Sequence, residues 1–230
     1  MKLEEVTKSP GKSAGRRYHD ACGAAHGLDL VGERWALLVM RELMFGPRRF
    51  GDLKSDLCGV SANVLTQRLE GLEEAGIVRR RKLPPPASVQ VYELTDWGYE
   101  ARPVFEVLGR WAARSPRHDP TLPISAVSVM MSLRTMFDAE KAGGLTARIG
   151  FVFDDRSFVA TISDGELTSE RKEIEACDLV LACAPAVVPE YVYGKRPLAE
   201  IEAEGRMAVT GDRALAERFQ TFFDLPEKAA

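Results

Sequence analysis

The chain has 230 residues, 45% hydrophobic and 28% charged, a composition that supports one large core or two small ones and argues against wholesale disorder. No apolar run approaches the ~20 residues of a spanning helix. Residues 1–17 lack the apolar stretch of a signal peptide, so the cytoplasm is the expected location. The formal net charge of −3 is uneven: residues 1–118 carry 19 Lys+Arg against 15 Asp+Glu, and residues 119–230 carry 12 against 19. The basic half is the one suited to nucleic acid.

In chain order, Leu28, Val31, Trp35 and Leu38 form an apolar stripe that predicts one amphipathic helix ending at Gly46-Pro47. Phe50, Leu53 and Leu57 predict a shorter helix, and Cys58-Gly59-Val60 a tight turn. Ser61 is placed to cap a third helix, whose inward face is Leu65, Leu69 and Leu72 and which closes at Gly76. Residues 77–82 and 89–94 read as two strands, and Pro84-Pro85-Pro86 between them cannot pair in a sheet. The two form a hairpin with a stiff tip. Thr95 or Asp96 starts a further helix with apolar positions Ala101, Val104, Phe105, Leu108, Trp111 and Ala112, kinked or delayed by Pro103.

A short helix, a glycine turn, a second helix and a hairpin together describe a winged helix-turn-helix. With Leu65, Leu69 and Leu72 turned inward, Ala62, Asn63, Thr66 and Gln67 face outward. Asn63 and Gln67 each suit paired hydrogen bonds to an adenine edge. Thr66 suits a thymine methyl or a phosphate, and Arg68 a phosphate or guanine. Arg79-Arg80-Arg81-Lys82 is the densest positive run; alternation puts Arg79 and Arg81 on one face of the first wing strand and Arg80 and Lys82 on the other. One pair is expected to reach DNA. Arg48 and Arg49 are candidate phosphate contacts. The candidate DNA-binding set is therefore Arg48, Arg49, Ser61, Ala62, Asn63, Thr66, Gln67, Arg68, Arg79, Arg80, Arg81 and Lys82.

Three prolines within 115–123 mark a linker, and beyond it the pattern changes. Residues 125–140 read as a helix rich in Met and Val. Residues 145–153, 157–163 and 178–183 read as strands, with Asp154-Asp155 and Asp164-Gly165 as turns, and 198–204 and 214–223 as helices. The fold class expected is two domains, a mainly α winged helix with a β-hairpin over 15–114 and an α+β domain over 125–225, joined by a linker at 115–124.

The first half resembles the HxlR-type regulators. The resemblance is carried by Leu28-Asp29-Leu30-Val31-Gly32-Glu33-Arg34-Trp35, by Leu43-Met44-Phe45-Gly46-Pro47-Arg48-Arg49-Phe50, and by Ser61-Ala62-Asn63-Val64-Leu65-Thr66-Gln67-Arg68-Leu69. Leu72-Glu73-Glu74-Ala75-Gly76-Ile77-Val78 and Tyr92-Glu93-Leu94-Thr95 continue it. It implies a bacterial transcriptional regulator that binds a palindromic operator in double-stranded DNA as a homodimer, paired through the first and last helices of the domain. Several members of that family sense oxidants or electrophiles through an N-terminal cysteine. Cys22 occupies the matching place, followed by Gly23 where proline is common; Arg16, Arg17 and His19 are near enough in sequence to favour a thiolate. An inert thiol is the competing reading. Cys22, Cys58, Cys177 and Cys183 form no CxxC pair and read as free thiols. His19, Cys22 and His26 would share a helix face, but no fourth zinc ligand is evident, and no metal is expected.

Residues 125–225 resemble the sterol carrier protein type 2-like domain in element order, in Asp164-Gly165-Glu166-Leu167, in Cys177-Asp178-Leu179-Val180-Leu181 and in the segment 198–212. That implies a five-stranded sheet covered by helices around an apolar tunnel. Met130, Met131, Met136, Phe137, Ile149, Phe151, Phe153 and Phe158 are the candidate lining residues for an apolar small-molecule effector. With no GxSxG, Walker, HExxH or GxGxxG pattern, no catalytic residue and no cofactor are expected. The alternative function is a lipid or apolar small-molecule carrier whose winged helix serves dimerisation.

Overall fold

The computed structural model describes residues 18–85 and 88–229. Arg16, Arg17, Pro86 and the start of the first expected domain lie outside the described residues. The first half runs α1 (Gly23–Val31), α2 (Ala36–Glu42), α3 (Phe50–Asp56), α4 (Ala62–Glu74), β1 (Val78–Lys82), β2 (Gln90–Leu94), α5 (Asp96–Glu100) and α6 (Arg102–Ala113).

The single helix expected across Leu28 to Leu38 is two. Gly32 closes α1, where a Cβ would lie 2.4 Å from the Leu28 carbonyl oxygen. Trp35 then takes the left-handed conformation at φ 81° before α2 begins. This break turns the stripe: Leu28 and Leu38 are exposed, and Ala36, Val39, Met40 and Leu43 enter the core instead. A second break separates α5 from α6, with Pro103 in the first turn of α6, where its missing N–H costs no helical bond. Thr95 caps α5, accepting from the Gly98 N–H at 3.1 Å and donating to the Gly76 carbonyl at 2.9 Å.

The second half runs α7 (Ala126–Met136), α8 (Ala139–Ala142), β3 (Ala147–Phe153), β4 (Arg156–Ser163), β5 (Glu166–Glu170), β6 (Leu179–Cys183), α9 (Val187–Val192), α10 (Leu198–Ala203), β7 (Met207–Gly211) and α11 (Arg213–Phe219). The helix expected over 125–140 stops at Phe137, which is extended, and Asp138 caps α8. Five strands form one mixed sheet in the order β5-β4-β3-β6-β7; only β3 and β6 run parallel. Asp154 and Asp164 both take positive φ in the two hairpin turns, as their sequence signals predict. Ile149, Phe151 and Phe153 point from β3 into the buried layer beside Phe158 and Phe219. On the opposite face Gly150 lets Ile174 close in; a Cβ there would sit 2.9 Å from its Cδ1.

The two halves pack against each other, and their buried apolar residues form one contiguous cluster. Phe45 meets Phe158 edge to face with centroids 5.4 Å apart. The Ser125 hydroxyl donates to buried Glu42 at 2.7 Å, and Arg134 on α7 pairs with Glu106 on α6 at 2.8 Å. Asp56, at the end of α3, accepts from Arg48 beside it and from Arg156 on β4 at 2.8 Å. The end of the described chain returns to α6. Lys228 Nζ donates to the carbonyls of Ala113 at 3.0 Å and Ser115 at 3.2 Å, and the Ala229 N–H donates to Arg114 O at 2.7 Å. No helix among the described residues is long and apolar enough to cross a membrane.

Candidate nucleic-acid interface

The helix-turn-helix is built from α3, the turn at 57–60 and α4. Leu57 and Val60 are buried, which pins both ends of the turn, and Gly59 bends it at φ 87°. Ser61 Oγ accepts from the Val64 N–H at 3.3 Å and opens α4. Leu65, Leu69 and Leu72 are at most 1% exposed, so the opposite side of α4 faces outward. Ala62, Asn63, Thr66 and Gln67 lie there, and the side chains of Asn63, Thr66 and Gln67 engage no other group among the described residues. Acids enter only at Glu70, Glu73 and Glu74. The N-terminal half of α4 therefore combines free amide and hydroxyl groups with the positive end of the helix dipole.

The wing follows the expected alternation. Arg79 lies opposite Glu93 in the hairpin register, and its guanidinium bonds Glu93 at 2.6 Å; Arg81 reaches the same carboxylate at 3.0 Å. Arg80, on the other face, lies over the Tyr92 ring at 5.4 Å and bonds Glu73 of α4 at 2.7 Å. The Glu73 carboxylate holds the Arg80 guanidinium above the ordinary arginine range. All three arginines remain about half exposed, so they are oriented by acids without being enclosed. Lys82 is exposed and makes no ion pair among the described residues. Glu73 and Glu93 had no signal in the sequence, because their role depends on the hairpin register and on how the wing leans against α4.

Two arginines depart from expectation. Arg48 is 4% exposed and committed to Asp56, and its backbone N–H and C=O exchange hydrogen bonds with Tyr92. Burial removes it from any phosphate; it braces the motif against the wing. Arg68 donates to the Arg34 carbonyl at 2.9 Å and pairs with Glu33 at 3.0 Å. It ties α4 to the turn between α1 and α2 and is not free for DNA. Arg49 is exposed, and its guanidinium makes no ion pair among the described residues.

Cys22 is exposed at the N-terminal cap of α1, and the backbone N–H groups of Ala24 and Ala25 hold its thiol below the ordinary cysteine range. His19 lies ahead of α1, so the face it was expected to share with Cys22 and His26 does not form. Cys58 is exposed, whereas burial pushes the Cys183 thiol up to about 12.

A second surface stands out on α6. Val104, Val107, Leu108 and Trp111 are 49%, 71%, 42% and 69% exposed, and Leu28 of α1 is 53% exposed. The sequence reading gave Leu28, Val104, Leu108 and Trp111 as apolar positions of their helices without fixing what covers them; the face of α6 that packs is the one carrying Phe105, Glu106 and Ala113.

The residues expected to line an apolar tunnel are interior. Met130, Met131, Met136, Ile149, Phe151, Phe153 and Phe158 are buried and Phe137 is half-buried. Their rings fill the space with one another, with Phe151 and Phe153 at 5.9 Å and Phe153 and Phe158 at 6.0 Å. A cleft of about 570 Å³ passes Met136 and Phe137, but Arg110, Asp138, Glu140 and Asp224 also line it.

The model of the family described as HxlR-like helix-turn-helix matches residues 30–119. Among curated relatives, the uncharacterized HTH-type transcriptional regulator YvaP of Bacillus subtilis is 33% identical over 85 residues, covering 37% of this chain and 79% of that protein. The HTH-type transcriptional regulator YodB of the same organism is 36% identical over 83 residues, covering 36% of this chain and 74% of that protein. The solved structure of reduced YodB from B. subtilis covers 43% of this chain and 98% of its own, at 32% identity and a TM-score of 0.39. A sec-alkylsulfatase structure from Pseudomonas sp. matches 15% of its own length and 40% of this chain, at 21% identity and a TM-score of 0.38, values that carry no argument about activity. With a wing, a capped second helix and relatives matched over most of their length, the chain belongs to the HxlR-like helix-turn-helix family.

Proposed function

We propose that this protein is a transcriptional regulator that binds double-stranded operator DNA as a homodimer. The observation that carries this reading is the outward face of α4, where Asn63, Thr66 and Gln67 stand unengaged beside a wing of half-exposed arginines. Asn63 and Gln67 read base edges, and Ser61, Ala62 and Thr66 approach the backbone at the helix N-terminus. Arg49, Arg79, Arg80, Arg81 and Lys82 hold phosphates. The apolar face of α6, with Leu28 of α1, is the dimer surface: so many large exposed apolar side chains are covered when copies assemble. Dimerisation sets the two α4 helices at half-sites about one helical turn apart.

The test is a mobility shift on the DNA upstream of the gene, across a salt series. The expected result is salt-sensitive binding, because phosphate contacts release counterions. Asn63→Ala/Gln67→Ala relaxes sequence preference, and Arg80→Ala/Arg81→Ala weakens binding to all sequences. Absence of binding to that DNA and to selected genomic fragments would refute the reading.

The domain limits 15–114 and 125–225, with the linker at 115–124, are part of the same proposal. In it the second unit is a sterol carrier protein-like module packed onto the first, and it modulates DNA binding through an apolar effector. Such a molecule enters only by displacing rings that now touch, Phe151, Phe153 and Phe158 among them. Cys22, exposed and thiolate-prone, is the proposed oxidant-sensing group, and peroxide or a quinone should lower operator affinity of the wild type but not of Cys22→Ser.

A further inference from the structure

A cleft of about 480 Å³ lies where the winged helix meets the edge strand of the sheet. Arg102 at the start of α6, Arg134 on α7 and Arg171 just beyond β5 all line it, together with Tyr99, Ser169 and Phe45. Of these arginines only Arg134 has an acidic partner, Glu106. Arg102 and Arg171 make no hydrogen bond or ion pair among the described residues, and Ser169 Oγ has no hydrogen-bond partner. The one acid of the cleft, Glu170, is engaged by Lys172 at 2.8 Å. The neighbouring arginines are committed elsewhere: Arg48 pairs with Asp56 and Asp52, and Arg156 with Asp56 and Asp155.

Guanidinium groups with no carboxylate partner, as Arg102 and Arg171 are on this cleft, are suited to bind planar anions in paired hydrogen bonds. The Phe45 ring gives this cleft an apolar wall as well, and Tyr99 a second ring with a hydroxyl. We propose that the cleft binds a small aromatic carboxylate, its carboxylate between Arg102 and Arg171 and its ring against Phe45. The site differs from the closed apolar interior of the sheet, and it bridges the DNA-reading half and the second half. The inference goes beyond the DNA-binding reading and does not rest on it, since binding is read on the protein alone.

The probe is sodium benzoate, titrated calorimetrically into the full chain, with benzamide as the uncharged isostere and sodium phosphate as a plain anion. The expected result is saturable benzoate binding with half-saturation below about 1 mM, and no saturation by benzamide or phosphate over the same range. Arg102→Gln and Arg171→Gln each weaken benzoate at least about tenfold, and Arg117→Gln, which removes the same charge from the exposed linker, leaves it unchanged. No saturation by benzoate, equal binding of benzamide or phosphate, or benzoate affinity retained in both cleft variants would overturn the proposal. The comparison of benzoate with benzamide in the wild type decides the matter even if a variant folds poorly.

Discussion

Replacing Asp56 by asparagine keeps the shape of the side chain and removes its charge. In the wild type this carboxylate, 6% exposed, takes hydrogen bonds from Arg48, 4% exposed, and from Arg156, 19% exposed. Neutralising it leaves two covered guanidinium groups facing one another with only the longer contacts to Asp52 and Asp155 as counter-charge. Neither neighbour replaces it fully: Asp52 is 3.8 Å from Arg48 and about half exposed, and Asp155, 3.6 Å from Arg156, is 90% exposed. Breaking a buried ion pair from one side costs about 3–5 kcal/mol. For a chain of this length each kcal/mol lowers the midpoint by roughly 2–4 °C, so Asp56→Asn should melt about 6–20 °C below the wild type. Urea denaturation by circular dichroism gives the free energy directly, provided a single transition is seen by two probes. The triple variant Asp56→Leu/Arg48→Met/Arg156→Met should recover most of the loss, because it removes the charges together. A loss below about 1 kcal/mol in Asp56→Asn would refute the argument, and would mean that water reaches these guanidinium groups freely.

Three further outcomes follow from other parts of the molecule. Leu65→Ala, at a fully buried position of α4, should cost about 2–5 kcal/mol in urea denaturation and abolish DNA binding with it. Trp111→Glu on the exposed α6 face should leave the secondary structure intact and convert a dimer to a monomer in sedimentation equilibrium; an unchanged mass would place the dimer surface elsewhere. Glu42 is buried, and desolvation raises its carboxyl above the usual glutamate range against the opposing pull of Arg41 and Ser125. A raised acid holds its proton longer in the folded chain, so its contribution is intact at low pH and is lost as pH climbs from the ordinary glutamate value through the raised one. Glu42→Gln should therefore match the wild type near pH 4 and become relatively more stable toward neutrality; a difference independent of pH would dismiss the assignment.

Local chemistry was legible in the sequence wherever one residue decides. Ser61 before a leucine-spaced run, Thr95 before α5, and aspartates at the sheet turns each act within four residues of themselves, and each does what its side chain predicts. Periodicity alone was less informative, because it identifies an apolar stripe without saying what covers it. Leu28, Val104, Leu108 and Trp111 keep helical spacing and yet stay exposed, while Phe105, on the adjoining side of α6, packs against the core. The break at Trp35 escaped because a left-handed tryptophan has no compositional signature. α9 was missed as well, a short helix with Pro189 inside it, although Val187, Val188, Tyr191 and Val192 are all buried. Of the candidate interface, the amides of α4 could be named from the sequence. The fates of Arg48 and Arg68 could not, since their partners Asp56 and Glu33 are chosen by packing.

The return of residues 228 and 229 to the end of α6 gives the protein an order of assembly. The carbonyls of Ala113 and Arg114 take donors from more than a hundred residues downstream, and that of Ser115, which already accepts from the His118 N–H, takes a second there. During synthesis the winged helix leaves the ribosome first, but the C-terminal turn of α6 stays unsealed until that distant segment has been made. The helix that carries the exposed apolar face is thus the last part of its own half to be completed.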